Sequence, residues 1–502
     1  MKVVLAGYNL DREVIEDLKR QALPRDDVTP ETLSAAYARI SRDPRPAHEL
    51  RAAARQEVER ARRSNQTIIF KMGHHSVAEH AVFNFDIIGV SRLALEEIEK
   101  FRLCSYTEKS QRYITLGDDF VIPEEIKEAR LEELFLRTVR AQNVLYHELY
   151  KRLRPHIYAK HRDLAAEPKN HAVLDGWAKE DARYVVSLAT EGQVGLTVNA
   201  RNLELMIRRF AAKPLAELRQ LNAGIYALAK EVAPSIILFT EATDFDATSY
   251  KDLQEAASGG FVTESSDLKN GPAEEEPVQL VDFTPDGDLR VLAALLHSST
   301  SHSYEICLQK AMRMPHEERK AYFLGALKRM EFYDFPLREF EYADLTFALT
   351  VSASCFAQIK RHRMATLTSQ GYDPELGVTR PPSFAEIGAD GDFQIIIGQT
   401  NDVHAAIEKA LGRDAAAYVL TNSHRRRVLL KVNVRELYHI SRLREDPTAQ
   451  WDIRSVVARM SDLAREAMPL SCLLLGGKDN YPVLYRKVFG QSPKLSPPKY
   501  LK

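Results

Sequence analysis

The feature that most constrains this chain is a weak internal repeat. The stretch AVFNFDIIGVSRLALEEIEKFR, Ala81 to Arg102, parallels DLTFALTVSASCFAQIKRHR, Asp344 to Arg363. In each, apolar and polar residues first alternate (Phe83, Phe85, Ile87; later Leu345, Phe347, Leu349, Val351), as in a half-buried strand. Serines then precede a helical run, as an N-cap would, and each helix ends in a basic triplet. A second parallel pairs Ala182 to Leu203 with Ala416 to Leu437, with the same distance in both to an Asn-x-Arg. One supersecondary unit occurring twice points to two like halves. Helical patterns dominate between the motifs, as in Glu124 to Leu153, so the expected class is α+β.

The halves meet at Ser249 to Leu280, which holds Gly-Gly, Ser-Ser, Gly-Pro and a Glu triplet and few large apolar residues. That composition predicts a first domain over 1–245, an acidic flexible linker over 246–280 and a second domain over 281–502. The chain has 69 Lys and Arg against 70 Asp and Glu, so no global field steers it to nucleic acid or membrane. No apolar run approaches the roughly 20 residues that span a bilayer, and MKVVLAGYNL reads as a first strand rather than a secretory signal. Cys104, Cys307, Cys355 and Cys472 are far apart and form no CxxC, which fits a reducing cytoplasm.

Several clusters could carry chemistry, and each has an ordinary structural reading beside it. If the chain is extended at Arg361-His362-Arg363, the two guanidinium forks point one way and the imidazole the other. Such forks suit a pyrophosphate, though cations at a helix C-terminus also simply complement its dipole. Asn433, Arg435, His439 and Arg444 form a second series. Arg435 and His439 are four apart and share a helix face, which is either a solvated basic face or a binding one. GHHSVAEH, Gly73 to His80, lacks the i, i+4 histidine spacing of zinc helices, so no metal is expected; a polar loop or a cofactor contact remains. SHRRR, Ser423 to Arg427, is either a solvated strand or turn, or a seat for a polyanionic tail. No basic surface interleaved with aromatics appears, and no GxSxG, P-loop, DFG or CxxC signature is present.

Together, HHSVAEH, SYTEKSQRY, ARYVVSLAT, RHR and VNVRELYHISRLREDPTAQWDIR resemble the motifs of the flavin-dependent thymidylate synthases. The resemblance covers most of both halves, leaving out the linker and a helical insert near 120–175, and implies two tandem thymidylate-synthase-complementing-type domains, each a mixed sheet with long helices. It implies FAD as cofactor, with NADPH and methylenetetrahydrofolate as co-substrates in making dTMP from dUMP. The family is a homotetramer, so a homodimer of this double chain is expected to mimic it. Carried over by motif, Arg361, His362, Arg363, Asn433, Arg435 and His439 bind flavin. Ser76 and Glu108 reach the flavin or nucleotide from a neighbour. Gln358, Ser110, Gln111, Arg112 and Arg183 bind dUMP, and Arg444 binds and polarises the pyrimidine.

Each half lacks one side of such a site. The first carries Lys100-Phe101-Arg102 for RHR, Glu97 for the glutamine, Leu205 for His439 and Phe210 facing Arg444, unless a slip by one brings in Arg209. The second carries Gly371-Tyr372-Asp373 for Ser110-Gln111-Arg112, Ala417 for Arg183 and Leu337-Arg338 for His75-Ser76. The losses are complementary, so the expected site combines a second-half flavin wall with a first-half nucleotide wall. The rival readings are a non-catalytic flavin- or nucleotide-binding relative and a flavoenzyme acting on a different pyrimidine.

Overall fold

The structure is a computed structural model that describes residues 1–20, 28–264 and 276–497. Strands β1 (Lys2–Tyr8), β2 (Val82–Ser91), β3 (Ser105–Glu108) and β4 (Glu191–Asn199) make one sheet in the order β1-β2-β4-β3. Strands β5 (Val278–Phe283), β6 (Asp344–Ser352), β7 (Thr366–Ser369) and β8 (Arg425–Asn433) make the second, in the order β5-β6-β8-β7. The repeat read from the sequence is therefore a repeat of topology. Every pairing is antiparallel, where the sheets were expected to be mixed. Antiparallel sheets tolerate one open face, and the alternating burial of β2 and β6 leaves one face of each sheet outside the core.

Nine helices position the site: α1 (Arg92–Ile98), α2 (Glu132–Lys160), α3 (Ala200–Ala211), α4 (Ala216–Val232), α5 (Asp244–Glu264), α6 (Ala353–Ile359), α7 (Asp390–Leu411), α8 (Val434–Arg444) and α9 (Trp451–Ala467). The serine caps exist. Ser91 accepts from Ala94 N and Ser352 from Cys355 N, both at 2.9 Å. Asn199 and Asn433 cap α3 and α8 in the same way. Glu124 to Leu153 is helical but broken, because Arg130 takes a left-handed backbone (φ 59°) between Glu124–Glu128 and α2.

The linker is shorter than its composition suggested. Residues 244–264 are helical as α5 and β5 already begins at Val278; 265–275 lie outside the described residues. Alanines outnumber the two glycines in α5, and Asp244 and Asp246 complement its N-terminal dipole. The segment 120–175 is no insert either: α2 has a counterpart in α7, and the two helices pack together.

A local two-fold relation joins the halves. Leu188 N donates to Leu420 O at 2.7 Å and Asn422 N to Val186 O at 3.0 Å; Ala189 N bonds Tyr418 O and Ser423 N bonds Tyr184 O, both at 3.0 Å. Arg102 donates to Ala365 O and Arg363 to Cys104 O, at 2.9 and 2.7 Å. SHRRR belongs to this seam and is no solvated run. Ser423 and His424 are buried, and Arg426 pairs with buried Glu96 of the first half at 3.0 Å between the rings of Phe356 and Tyr372. All four cysteines are buried and unbridged. Among the described residues no helix is long and apolar enough to cross a membrane.

Candidate functional site

Helix α6 ends at Ile359 and the chain turns through RHR, with His362 N bonded to Ile359 O at 3.0 Å. The backbone is a turn rather than extended, and all three side chains of the triplet border one cleft instead of parting to opposite sides. Arg361 is half exposed and His362 buried. Arg444, in the last turn of α8, donates through Nε to His362 Nε2 at 2.9 Å, so that nitrogen carries no proton. Burial, reinforced by Arg444, His439 and the flanking arginines, pushes the imidazole pKa well below its usual value. Arg435 and His439 lie on one face of α8, as their spacing required. With Arg361, Arg363, Phe335 and Arg102 they line a cleft of about 430 Å³. Four guanidinium groups meet one lining carboxylate there, Glu436, whose pKa is raised to about 7 by burial, against Arg435 and with Glu341. Asn433 sits behind this wall as the cap of α8, accepting from Glu436 N at 2.8 Å.

Residues of the first half contact this region within the same chain. Glu108, at the end of β3, pairs with Arg361 at 3.1 Å and with buried Arg92 at 3.4 Å. Burial alone would raise its carboxyl pKa, but Lys360, Arg92 and Arg361 hold it down at about 2. Ser110 Oγ accepts from Arg112 N at 3.1 Å. Arg112 pairs with Glu180 and donates to Thr448 O of the second half at 3.0 Å. Gln111 accepts from Asn422 at 3.1 Å. Arg183 is buried and donates to Ser354 Oγ at 2.7 Å, while its Nε has no partner. Gln358 bonds Gln450 at 3.2 Å and takes Arg444 Nη2 on its backbone carbonyl at 3.3 Å.

Among the described residues neither Arg183 nor Arg444 has a carboxylate in ion-pair contact. Burial and neighbouring arginines lower both pKa values, to about 10. Arg183 is buried and Arg444 half-buried; cations so placed without counter-ions are costly and complementary to an anion. Ser76 stands apart: it is exposed on the 3-10 turn His75–His80, and no described contact brings it to the cleft of its own chain.

The KFR side is filled where the RHR side is open. Phe101 takes the place of His362 and Phe210 that of Arg444, and the hydrogen bond becomes an edge-to-face ring contact at 5.6 Å. Glu97 is tied to Lys213 at 2.7 Å and also to Lys100. Phe210 stands as far beyond the capping Asn199 as Arg444 does beyond Asn433, so no slip by one brings in Arg209, and Arg208 and Arg209 both pair with Asp246 of α5, at 3.1 and 2.9 Å. In the second half, Tyr372, at the position of Gln111, donates to Glu96 at 2.8 Å. Sequence reasoning assigned no role to Tyr184, Gln450, Asp452 or Glu180. Gln450 and Asp452 lie inside the quoted TAQWDIR, the signal that could have found them.

The model of the thymidylate synthase complementing protein family matches this chain twice, over residues 25–235 and 279–470. The chain belongs to that family. It carries two tandem copies of the family domain, and the first match runs through 120–175. Among relatives named flavin-dependent thymidylate synthase, that of Geobacter sulfurreducens is 32% identical over 34% of this chain and 65% of its own length. That of Pyrococcus abyssi is 34% identical over 27% and 49%, and that of Mycobacterium sp. (strain JLS) 32% over 39% and 75%. The chain thus spans about half to two thirds of the first relatives it matches. A solved flavin-dependent thymidylate synthase from Helicobacter pylori, described as complexed with FAD and dUMP, aligns at 14% identity with a TM-score of 0.30, covering 47% of this chain and 100% of that one.

Proposed function

We propose that this member of the family is a flavin-dependent thymidylate synthase with one composite site per chain, the RHR side, and that the KFR side is inactive. It converts dUMP to dTMP, taking the carbon from methylenetetrahydrofolate. The observation that carries this is a pair of guanidinium groups, buried Arg183 and half-buried Arg444, that among the described residues have no carboxylate in ion-pair contact. They come from different halves, each has Arg112 for a neighbour, and they call for an anionic, carbonyl-bearing ligand.

The residues present suit FAD, since four arginines and an aromatic edge surround the RHR cleft. Arg361, Arg363 and Arg435 would hold it, with His439 against it. When bound, FAD reduced by NADPH supplies the hydride. The chain's own contribution is position and charge. Arg112, Arg183 and Ser110 bind the nucleotide, and Arg444 faces the uracil carbonyl where negative charge develops as the carbon is added. His362, neutral and accepting, aligns Arg444 Nε. The KFR side has a phenylalanine pair where this bond would form and so cannot do the same work. Ser76, exposed and away from the cleft of its own chain, is contributed by a second copy, which makes the working form a homodimer.

Release of tritium from [5-³H]dUMP, dependent on NADPH and methylenetetrahydrofolate, is the expected result with purified protein. Nucleotide and flavin binding without tritium release would leave a binding protein instead of a synthase.

A further inference from the structure

Two buried side chains with no role in the reading above, Tyr184 and Gln450, form a relay that ends on Gln358. Ser352 Oγ and Tyr184 Oη both donate to Asp452 Oδ2, at 2.6 and 2.8 Å. A phenol that has given its one proton to a carboxylate can only accept from its other neighbour. Gln450 Nε2 is that donor, at 2.6 Å. The Gln450 amide is thereby turned so that its Oε1 faces Gln358, whose Nε2 donates to it at 3.2 Å. Gln358 therefore presents its carbonyl oxygen on the remaining side. That oxygen is buried and has no donor, and the same residue is bonded to Arg444 through its backbone.

The other side of the molecule shows which part of the relay is architecture. There Ser91 and Tyr418 donate to Glu217 at 2.7 and 2.6 Å, the same serine–carboxylate–tyrosine arrangement. It stops there, because Leu215 stands at the position of Gln450 and Glu97 at that of Gln358. Among the described residues the glutamine extension is found on the side that carries Arg444, and not on the other.

We infer that Tyr184 and Gln450 are positioning residues that fix Gln358 as a hydrogen-bond acceptor, so that the site selects a pyrimidine bearing a ring N–H, as uracil does at N3, over cytosine. Cytosine N3 is itself an acceptor and would leave two buried acceptors facing each other. This rests on the nucleotide reading proposed above.

The test is calorimetric binding of dUMP, dCMP and N3-methyl-dUMP to the flavin-loaded, full-length protein, wild type and variants. Wild type is expected to prefer dUMP over dCMP by about tenfold or more, and to lose a similar factor when the N3 hydrogen is replaced by methyl. Tyr184→Phe and Gln450→Leu release the Gln358 amide to turn, and should still bind dUMP while the dUMP/dCMP preference collapses about tenfold. Leucine is what the first half carries at that position, so the fold accommodates it. An unchanged preference in both variants, or wild type binding N3-methyl-dUMP as tightly as dUMP, overturns the inference. Wild type binding none of the three overturns the nucleotide reading instead.

Discussion

His362 and Phe101 occupy equivalent places, and their neighbours decide what each side can do. Arg444 is held by a neutral imidazole and a backbone carbonyl rather than by a carboxylate, so its charge stays available to a ligand at the expense of the fold. Arg444→Met should therefore lower tritium release by at least about a hundredfold while the Tm of the ligand-free protein stays level or rises; a clear fall in Tm would mean the guanidinium is structural. Glu108 behaves oppositely. Its folded pKa of about 2 lies below the ordinary 4.5 because Lys360, Arg92 and Arg361 outweigh burial. The stability it gives is present above pH 4.5 and is lost as pH falls towards 2. Glu108→Gln should flatten the acid limb of an unfolding profile between those values, read by circular dichroism.

The elements show which sequence signals carried. Alternation over β2 and β6 and the serine caps were legible because each is a local pattern with a local cause. The helix α5 was not, since small residues and glycines read as linker while Asp246, bridging Arg208 and Arg209, ties its start to α3. SHRRR looked solvated for a similar reason: the partners of Arg426, namely Glu96 and Tyr372, lie far away in the chain. The correspondence of α2 and α7 is one of packing and left no residue signature to read. Asn433 was read as a flavin contact, and its hydrogen bond makes it a cap as well. Asn433→Ala should cost about 1 kcal/mol in urea unfolding and, by loosening the first turn that bears Arg435, weaken flavin binding. A flavin affinity unchanged after that loss would separate the two roles.

At the scale of the molecule, the complementary losses were readable from sequence, but the chain that supplies each wall was not. Arg112 reaches Thr448 and Glu108 reaches Arg361 within one chain. Mixing Arg112→Ala with Arg363→Ala protein should therefore not restore tritium release beyond the two alone. Mixing Ser76→Ala with Arg363→Ala, under conditions that allow subunit exchange, should restore part of it. Restoration in the first mixture would place the two walls on different chains.

Lys360 and Glu99 hold equivalent positions in the two halves and form a buried ion pair at 2.8 Å. Were either half to pair with its own like, this position would set carboxylate against carboxylate or ammonium against ammonium, away from solvent. Divergence at this one contact works as a ratchet: after it, neither domain can discard its sibling and return to a self-sufficient symmetric existence.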